Sequence, residues 1–442
     1  MEKFVINGGR KLDGSVKVSG AKNVVLKALV AACLTDEEVI IENIPLITDV
    51  FVMTEIIEEL GGSVAILDHS VKVKMEKFQT TKIALERAAE IRTSAIFLSP
   101  LLAREKKAVI PNPGGCRLGA RPIDRLIEGL RKLNAKIEYR SEDGYFHAET
   151  DGLTGAEYYF EKTTHTGTET LIIAACLAKG KTTLKNAALE PEIDELIDIL
   201  NKMGGKVKRT TDPRIIEIEG VSKLHGAKFS IGPDRNEIVT FAIAAIATKG
   251  DIFIEGAESS QIKDFLKKLK EAGGGVEEKS DGIRFYYKGE LSSVSVTTSP
   301  YPGFMTDWQP LWAVLMTQAT GQSIIHETVF ENKLDYINDL QKMGADATFF
   351  NPKVDNPEKI YNFNLDDDSP EYFHAVEIKG PIRLHNAILT MRNIRAGAAV
   401  VVAALVAHGQ SVILEIEHLD RGYEKLEERL KSLGAAIKRI EE

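Results

Sequence analysis

Residues 23–67 read NVVLKALVAACLTDEEVIIENIPLITDVFVMTEIIEELGGSVAIL. The stretch opens with an apolar helix, NVVLKALVAACL, that runs into a small-residue turn. A β-branched strand follows in EEVIIENI, then an amphipathic helix in FVMTEIIEEL, and SVAIL reads as a second strand. The second helix stops where Leu60 meets Gly61 and Gly62, and glycine suits the left-handed turn that ends a helix.

The same stop recurs along the chain, as LGG at Leu60, LNA at Leu133, MGG at Met203, AGG at Ala272, MGA at Met343 and LGA at Leu433. The intervals are 73, 70, 69, 71 and 90 residues, and a strand follows each stop: SVAIL, KIEY, KVKR, GVEE, DATFF and AIKRI. Six copies of a helix, strand, helix, strand module of about 70 residues are predicted, which makes an α/β fold. The long interval carries about 20 further residues around NPKVDNPEKIYNFNLDDDSPEYF, read as a surface excursion. One module buries too little surface to stand alone, so three plus three is the natural grouping, with the boundary near Ile231–Asp234.

Composition narrows the function. Of 442 residues, 43% are hydrophobic and 27% charged, the balance of a globular chain of two or three domains. The net charge of -9 and the lack of a dense basic block argue against a nucleic-acid surface. No apolar run approaches the roughly 20 residues that span a bilayer, and MEKFVINGGRKLDG lacks a signal-peptide core, so a cytoplasmic location is expected. Cys33, Cys116 and Cys176 are too few and scattered for a disulfide framework or zinc site, and the nine histidines lack ligand spacing, so no metal is expected.

The apolar helices begin SGAKNVVLKAL, IRTSAIFLSPL, HTGTETLIIAA, DRNEIVTFAIAA, MTDWQPLWAVL and IRAGAAVVVAA, which puts Lys22, Arg92, Asp307 and Arg395 before or within first turns. A cation there opposes the helix dipole, at a cost of about 0.3–1 kcal/mol. Three such cations at equivalent places make sense if an anion sits between them; a cation merely facing solvent is the bland alternative. The stretch PNPGGCRLGARPIDRL, residues 111–126, reads as an exposed, mobile loop, and Arg117 and Arg121 would make its Cys116 reactive. By contrast, Cys33 and Cys176 occupy matching AACL segments and read as core residues. Asp307, in YPGFMTDWQP, is either a site residue or a helix cap, and Asp420, in HLDRGYEKLEERL, is open to the same two readings. Trp308 and Trp312, one turn apart, are expected in the core.

At these residues the chain resembles the enolpyruvyl transferases, and among them the UDP-N-acetylglucosamine 1-carboxyvinyltransferase family. The motifs that carry the resemblance are LDGSVKVSGAKN, GGCRLGARPID, ALEPEI, YPGFMTD, ETVFEN, RAGAA and HLDRGYE, in the family's order from end to end. The related 5-enolpyruvylshikimate-3-phosphate synthases share six repeats but lack the cysteine loop. The resemblance implies a two-domain inside-out α/β barrel, each domain three repeats of a βαβαββ unit with buried helices. Its domains would be residues 20–230, carrying the Cys116 loop as a lid, and residues 1–19 plus 231–442.

The implied activity is transfer of the enolpyruvyl group of phosphoenolpyruvate to the 3-hydroxyl of UDP-N-acetylglucosamine with release of phosphate, the first committed step of peptidoglycan synthesis. A cytoplasmic monomer is implied, with no cofactor. Carried over residue by residue, Lys22 and Asn23 would hold phosphoenolpyruvate, with Arg121, Arg395 and Arg421 adding charge around it. Arg92, Arg121, Pro122, Ile123, Asp124, Arg125, Lys162, Asp307 and Val329 would contact the nucleotide sugar. Cys116 would donate the proton to phosphoenolpyruvate, with a covalent adduct as a second option, and Asp307 would act as base. Three positions depart from the family: Lys333 stands for an arginine, Asn393 for an aspartate, and KTTHTGTET differs from the usual sequence beyond Lys162. A non-catalytic nucleotide-sugar-binding paralogue, or a transferase for another acceptor such as shikimate 3-phosphate, remain the alternatives.

Overall fold

The structure is a computed structural model that describes residues 2–112 and 123–441. Among the described residues two compact units emerge, one of residues 20–112 and 123–232 and one in which residues 2–19 join residues 233–441. Each has its own hydrophobic core. All six predicted stops end helices. The residue after each stop's first letter is left-handed, at φ of 103° for Gly61, 75° for Asn134, 95° for Gly204, 89° for Gly273, 92° for Gly344 and 98° for Gly434. Asparagine tolerates that conformation, which is why LNA works where the other five copies use glycine. The expected strands follow as Ser63–Leu67, Lys136–Arg140, Val207–Arg209, Gly275–Lys279, Asp346–Phe350 and Ala436–Glu441.

The third copy displays the whole unit: strand Glu157–Tyr159, helix His165–Ala175, strand Lys181–Lys185, helix Pro191–Lys202, and strands Val207–Arg209 and Ile216–Glu219. The first strand runs parallel to the second, and the last lies antiparallel between the second and third. The first helix of a copy is buried all round; in Arg235–Ala247 every residue is buried. Such a helix has no face for water and can only be central. The second helices keep one polar face, as in Asp124–Lys132 and Lys263–Glu271. Each unit therefore carries helices inside and three sheets around them, an inside-out α/β arrangement.

Two features were hidden from the periodicity. In the second copy the apolar helix is broken into a 3-10 turn, Arg92–Phe97, and a helix, Leu98–Glu105. More consequentially, the strands of one copy are drawn from distant chain segments. Lys228–Ser230 pairs parallel with Val39–Glu42 and gives the first copy its leading strand. Asp13–Lys17 does the same for the fourth copy beside Asp251–Glu255, and Glu2–Asn7 lies between Gln410–Leu414 and Ala436–Glu441 as the last strand of the sixth. Residues 351–374, expected as surface, contain a short helix, Pro357–Ile360, and bury Tyr361 and Phe363. Among the described residues no helix is long and apolar enough to cross a membrane.

Candidate functional site

The site candidates divide between the units. In the unit of residues 233–442, Asp307 stands two residues before the helix Gln309–Met316, whose cap position, Trp308, makes no side-chain cap bond. Asp307 is not a cap. Its Oδ1 accepts from Lys333 Nζ at 3.0 Å and its Oδ2 from Arg395 Nε at 3.3 Å. The cations are the more buried partners, with side chains 2% and 9% exposed against 28% for Asp307. Burial pushes the Asp307 carboxyl up, but Lys333 and Arg395 outweigh it and hold it far below the usual carboxylate range. Arg395 lies over the Tyr423 ring, and its Nη1 is buried without a hydrogen-bond partner among the described residues. The unfilled Arg395 Nη1 is a buried charged donor that calls for an acceptor, and an anion would supply one.

Arg395 is set by the helix Ile394–Val406, whose cap Asn393 accepts from the Ala396 amide at 2.9 Å. Val329 lies in a turn organised by buried Glu327, whose Oε1 accepts from the Val329 and Phe330 amides at 2.8 and 3.1 Å. Glu327 Oε2 accepts from the Thr306 hydroxyl, next to Asp307, at 2.8 Å. Arg421 is half-buried and follows the short helix Glu417–Asp420. Asp420 is no helix start: both its oxygens are taken by the Arg439 guanidinium at 2.9 and 2.6 Å.

In the unit of residues 20–232, Lys22 opens the helix Lys22–Ala32 and does not face solvent: it is 8% exposed and its Nζ lies 2.7 Å from Asp49 Oδ2. Asn23 beside it is half-buried. Arg92 opens the 3-10 turn Arg92–Phe97, and Asp124 opens the helix Asp124–Lys132 with its side chain exposed. Ile123 is buried, and burial pulls the pKa of half-buried Arg125 down. Lys162 precedes the helix His165–Ala175, where Thr164 accepts from the Gly167 amide as cap. Cys116, Arg121 and Pro122 lie outside the described residues.

Sequence reasoning missed a buried network in this unit. Glu169, 1% exposed, has Lys27 Nζ at 3.2 Å from one oxygen and His165 Nε2 at 3.1 Å from the other. These are ion pairs whose angles fall outside hydrogen-bond geometry. The signal was present in the letters: a lysine inside NVVLKALVAACL and a glutamate inside TETLIIAACL sit in helices otherwise too apolar to tolerate an unpaired charge. Asp49 and Glu327 carried no such signal.

A family profile for EPSP synthase (3-phosphoshikimate 1-carboxyvinyltransferase) matches residues 6–430. The chain belongs to this family. Among curated relatives, the UDP-N-acetylglucosamine 1-carboxyvinyltransferase of Desulfatibacillum aliphaticivorans is 40% identical over 440 residues, 100% of both chains. The protein of the same name from Koribacter versatilis is 40% identical over 100% of this chain and 97% of its own, and that from Coxiella burnetii 39% over 100% and 96%. The fold recurs in the enolpyruvyl transferase NikO from Streptomyces tendae, with a TM-score of 0.86 at 22% identity over 99% of this chain and 98% of that one. It recurs again in EPSP synthase from Acinetobacter baumannii, with a TM-score of 0.74 at 17% identity over 100% of both. The inside-out α/β fold expected from the resemblance is thus the fold of the family.

Proposed function

We propose that the chain transfers the enolpyruvyl group of phosphoenolpyruvate to the 3-hydroxyl of UDP-N-acetylglucosamine, releasing phosphate. The observation that carries the reading is the end-to-end match, at about 40% identity, with curated relatives that bear that activity as their name. Support comes from the placement of Asp307, whose carboxylate is fixed by Lys333 on one oxygen and Arg395 on the other; their charges lower its basicity, so its use as a proton acceptor rests on position.

In this reading the sugar hydroxyl bonds to C2 of phosphoenolpyruvate while Cys116 delivers a proton to C3 and Asp307 accepts the hydroxyl proton. The tetrahedral adduct then loses the C3 proton and phosphate, which restores the double bond. The reading assigns Lys22, Asn23, Arg121, Arg395 and Arg421 to the donor, four of them cationic, and the unfilled Arg395 Nη1 supplies one of the hydrogen-bond donors. The reading assigns Arg92, Arg121, Pro122, Ile123, Asp124, Arg125, Lys162, Asp307 and Val329 to the nucleotide sugar. Lys333 in place of arginine keeps one charged bond to Asp307, so the base remains anchored.

The test is an acceptor panel. Phosphate release is measured with phosphoenolpyruvate and, in turn, UDP-N-acetylglucosamine, shikimate 3-phosphate or no acceptor. Release only with the nucleotide sugar is expected; release with shikimate 3-phosphate alone, or binding of the nucleotide sugar without release, would overturn the proposal.

A further inference from the structure

Five of the six modules close without any segment like residues 351–374, as the near-constant spacing of the stops records, so the fold itself does not require it. The module that carries it also supplies Asp307, Val329 and Lys333. We propose that this excursion is a brace that positions Asp307 and Val329 for the nucleotide-sugar acceptor, acting through Glu327. The proposal rests on the functional reading above.

The connection runs through bonds within one unit. The strand Ala319–His326 runs on into Glu327 and Thr328, and the excursion grips both. The Glu327 amide donates to the His374 carbonyl at 2.7 Å, and the Asn362 amide donates to the Thr328 carbonyl at 2.7 Å. Under this grip lies a cluster of rings, with centroids 4.9 Å apart for Tyr361 and Phe363, 5.0 Å for Tyr361 and His374, and 5.2 Å for Phe363 and His374. The three are only 6%, 6% and 5% exposed. Tyr361 reaches His326 Nε2 with its hydroxyl at 3.3 Å, and Asp368 holds His374 Nε2 at 3.0 Å. A loop that merely covered surface would not bury three rings and fix two of them by polar contacts.

Glu327 passes this placement to the site. Its carboxylate, 1% exposed, accepts from three donors that belong to two segments: the Thr306 hydroxyl on one oxygen, and the Val329 and Phe330 amides on the other. Thr306 is the neighbour of Asp307. The Phe330 ring lies 4.7 Å beneath the Lys333 ammonium that binds Asp307. A displaced Glu327 therefore moves Asp307 and the Val329 turn together, and errors of about 1 Å in such a site cost up to about a hundredfold in rate.

The test uses the full chain and three variants: Tyr361→Ala/Phe363→Ala, which empties the ring cluster, Tyr361→Phe, which keeps it, and Glu327→Asp, whose shorter carboxylate cannot span Thr306 and Val329. Steady-state phosphate release gives kcat and both KM values, and circular dichroism gives the folded fraction. For the double variant and Glu327→Asp, KM for UDP-N-acetylglucosamine is expected to rise about tenfold and kcat per folded molecule to fall about tenfold. KM for phosphoenolpyruvate should stay within about threefold, and Tyr361→Phe within about threefold of the unsubstituted chain throughout. Loss of stability alone lowers the active fraction and leaves both KM values in place, so an unchanged acceptor KM in Glu327→Asp or in the folded double variant overturns the proposal. Failure of both to fold also overturns it, because the segment would then serve the fold rather than the site. Lack of phosphate release by the unsubstituted chain would remove the functional reading itself and is seen independently of any variant.

Discussion

At Asn393 the side-chain oxygen accepts from the Ala396 amide and starts the helix that carries Arg395. Asparagine and aspartate cap equally well, so asparagine gives the helix start that an aspartate would, with one negative charge fewer beside Arg395. Asn393→Ala is expected to cost about 1 kcal/mol, and Asn393→Asp less than about 0.5 kcal/mol. Urea unfolding followed by tryptophan fluorescence checks this, since Trp308 and Trp312 are the chain's two tryptophans and both lie in this unit. An alanine variant as stable as the parent would show that the cap contributes nothing. Single residues were legible where local pattern governs them: Cys33 and Cys176 are buried, with thiols pushed up to about 12, and both tryptophans are in the core. The partners of Asp307 were not, because Lys333 and Arg395 lie 26 and 88 residues away in the chain and only the tertiary fold brings them to it.

Two central helices, Lys22–Ala32 and His165–Ala175, are tied by the Lys27–Glu169 ion pair, with His165 on the other oxygen of Glu169 from within the second helix. Burial pulls the His165 pKa down, but Glu169 and Glu190 outweigh both burial and the opposing charge of Lys27, so it lies above its usual value. A group whose pKa is raised on folding stabilises fully below its unfolded value, about 6.5 for histidine, and that stabilisation is lost as pH rises through the folded pKa. Hydrogen exchange in His165–Ala175, corrected for intrinsic rates, is therefore expected to show protection that declines above about pH 6.5. Glu169→Gln should remove this decline, because burial and Lys27 then outweigh Glu190 at His165, and, by leaving Lys27 buried without its carboxylate, destabilise by about 3–5 kcal/mol. Protection independent of pH in the parent would contradict this assignment. The elements themselves were largely legible, because every stop signal needs a left-handed residue and the sequence supplies one. The break in the second copy's helix and the buried rings of residues 351–374 were not. The first follows from tertiary packing and the second from ring contacts with the distant strand Ala319–His326.

For the molecule as a whole, the chain order and the order of modules differ. Period counting cannot reveal this, because the strands Glu2–Asn7 and Asp13–Lys17 complete copies whose helices lie hundreds of residues later. The first 19 residues bury Phe4, Ile6, Leu12, Val16 and Val18 in the core they share with residues 233–442. At about 1.5–3 kcal/mol for each buried apolar side chain, that rivals the roughly 5–15 kcal/mol by which a domain is stable. A chain lacking residues 1–19 is expected to lose the cooperative tryptophan transition while the helix Lys22–Ala32 keeps its hydrogen-exchange protection; a preserved transition would contradict the strand exchange.

The chemistry proposed for the chain turns on the thiol of Cys116. The direct measurement is phosphate release by the parent and by Cys116→Ser, with phosphoenolpyruvate and UDP-N-acetylglucosamine both saturating. The expected result is release by the parent and a rate lower by about a hundredfold or more in the serine variant, as general acid catalysis is worth about 10²–10⁴. Equal rates in the two proteins would contradict the account.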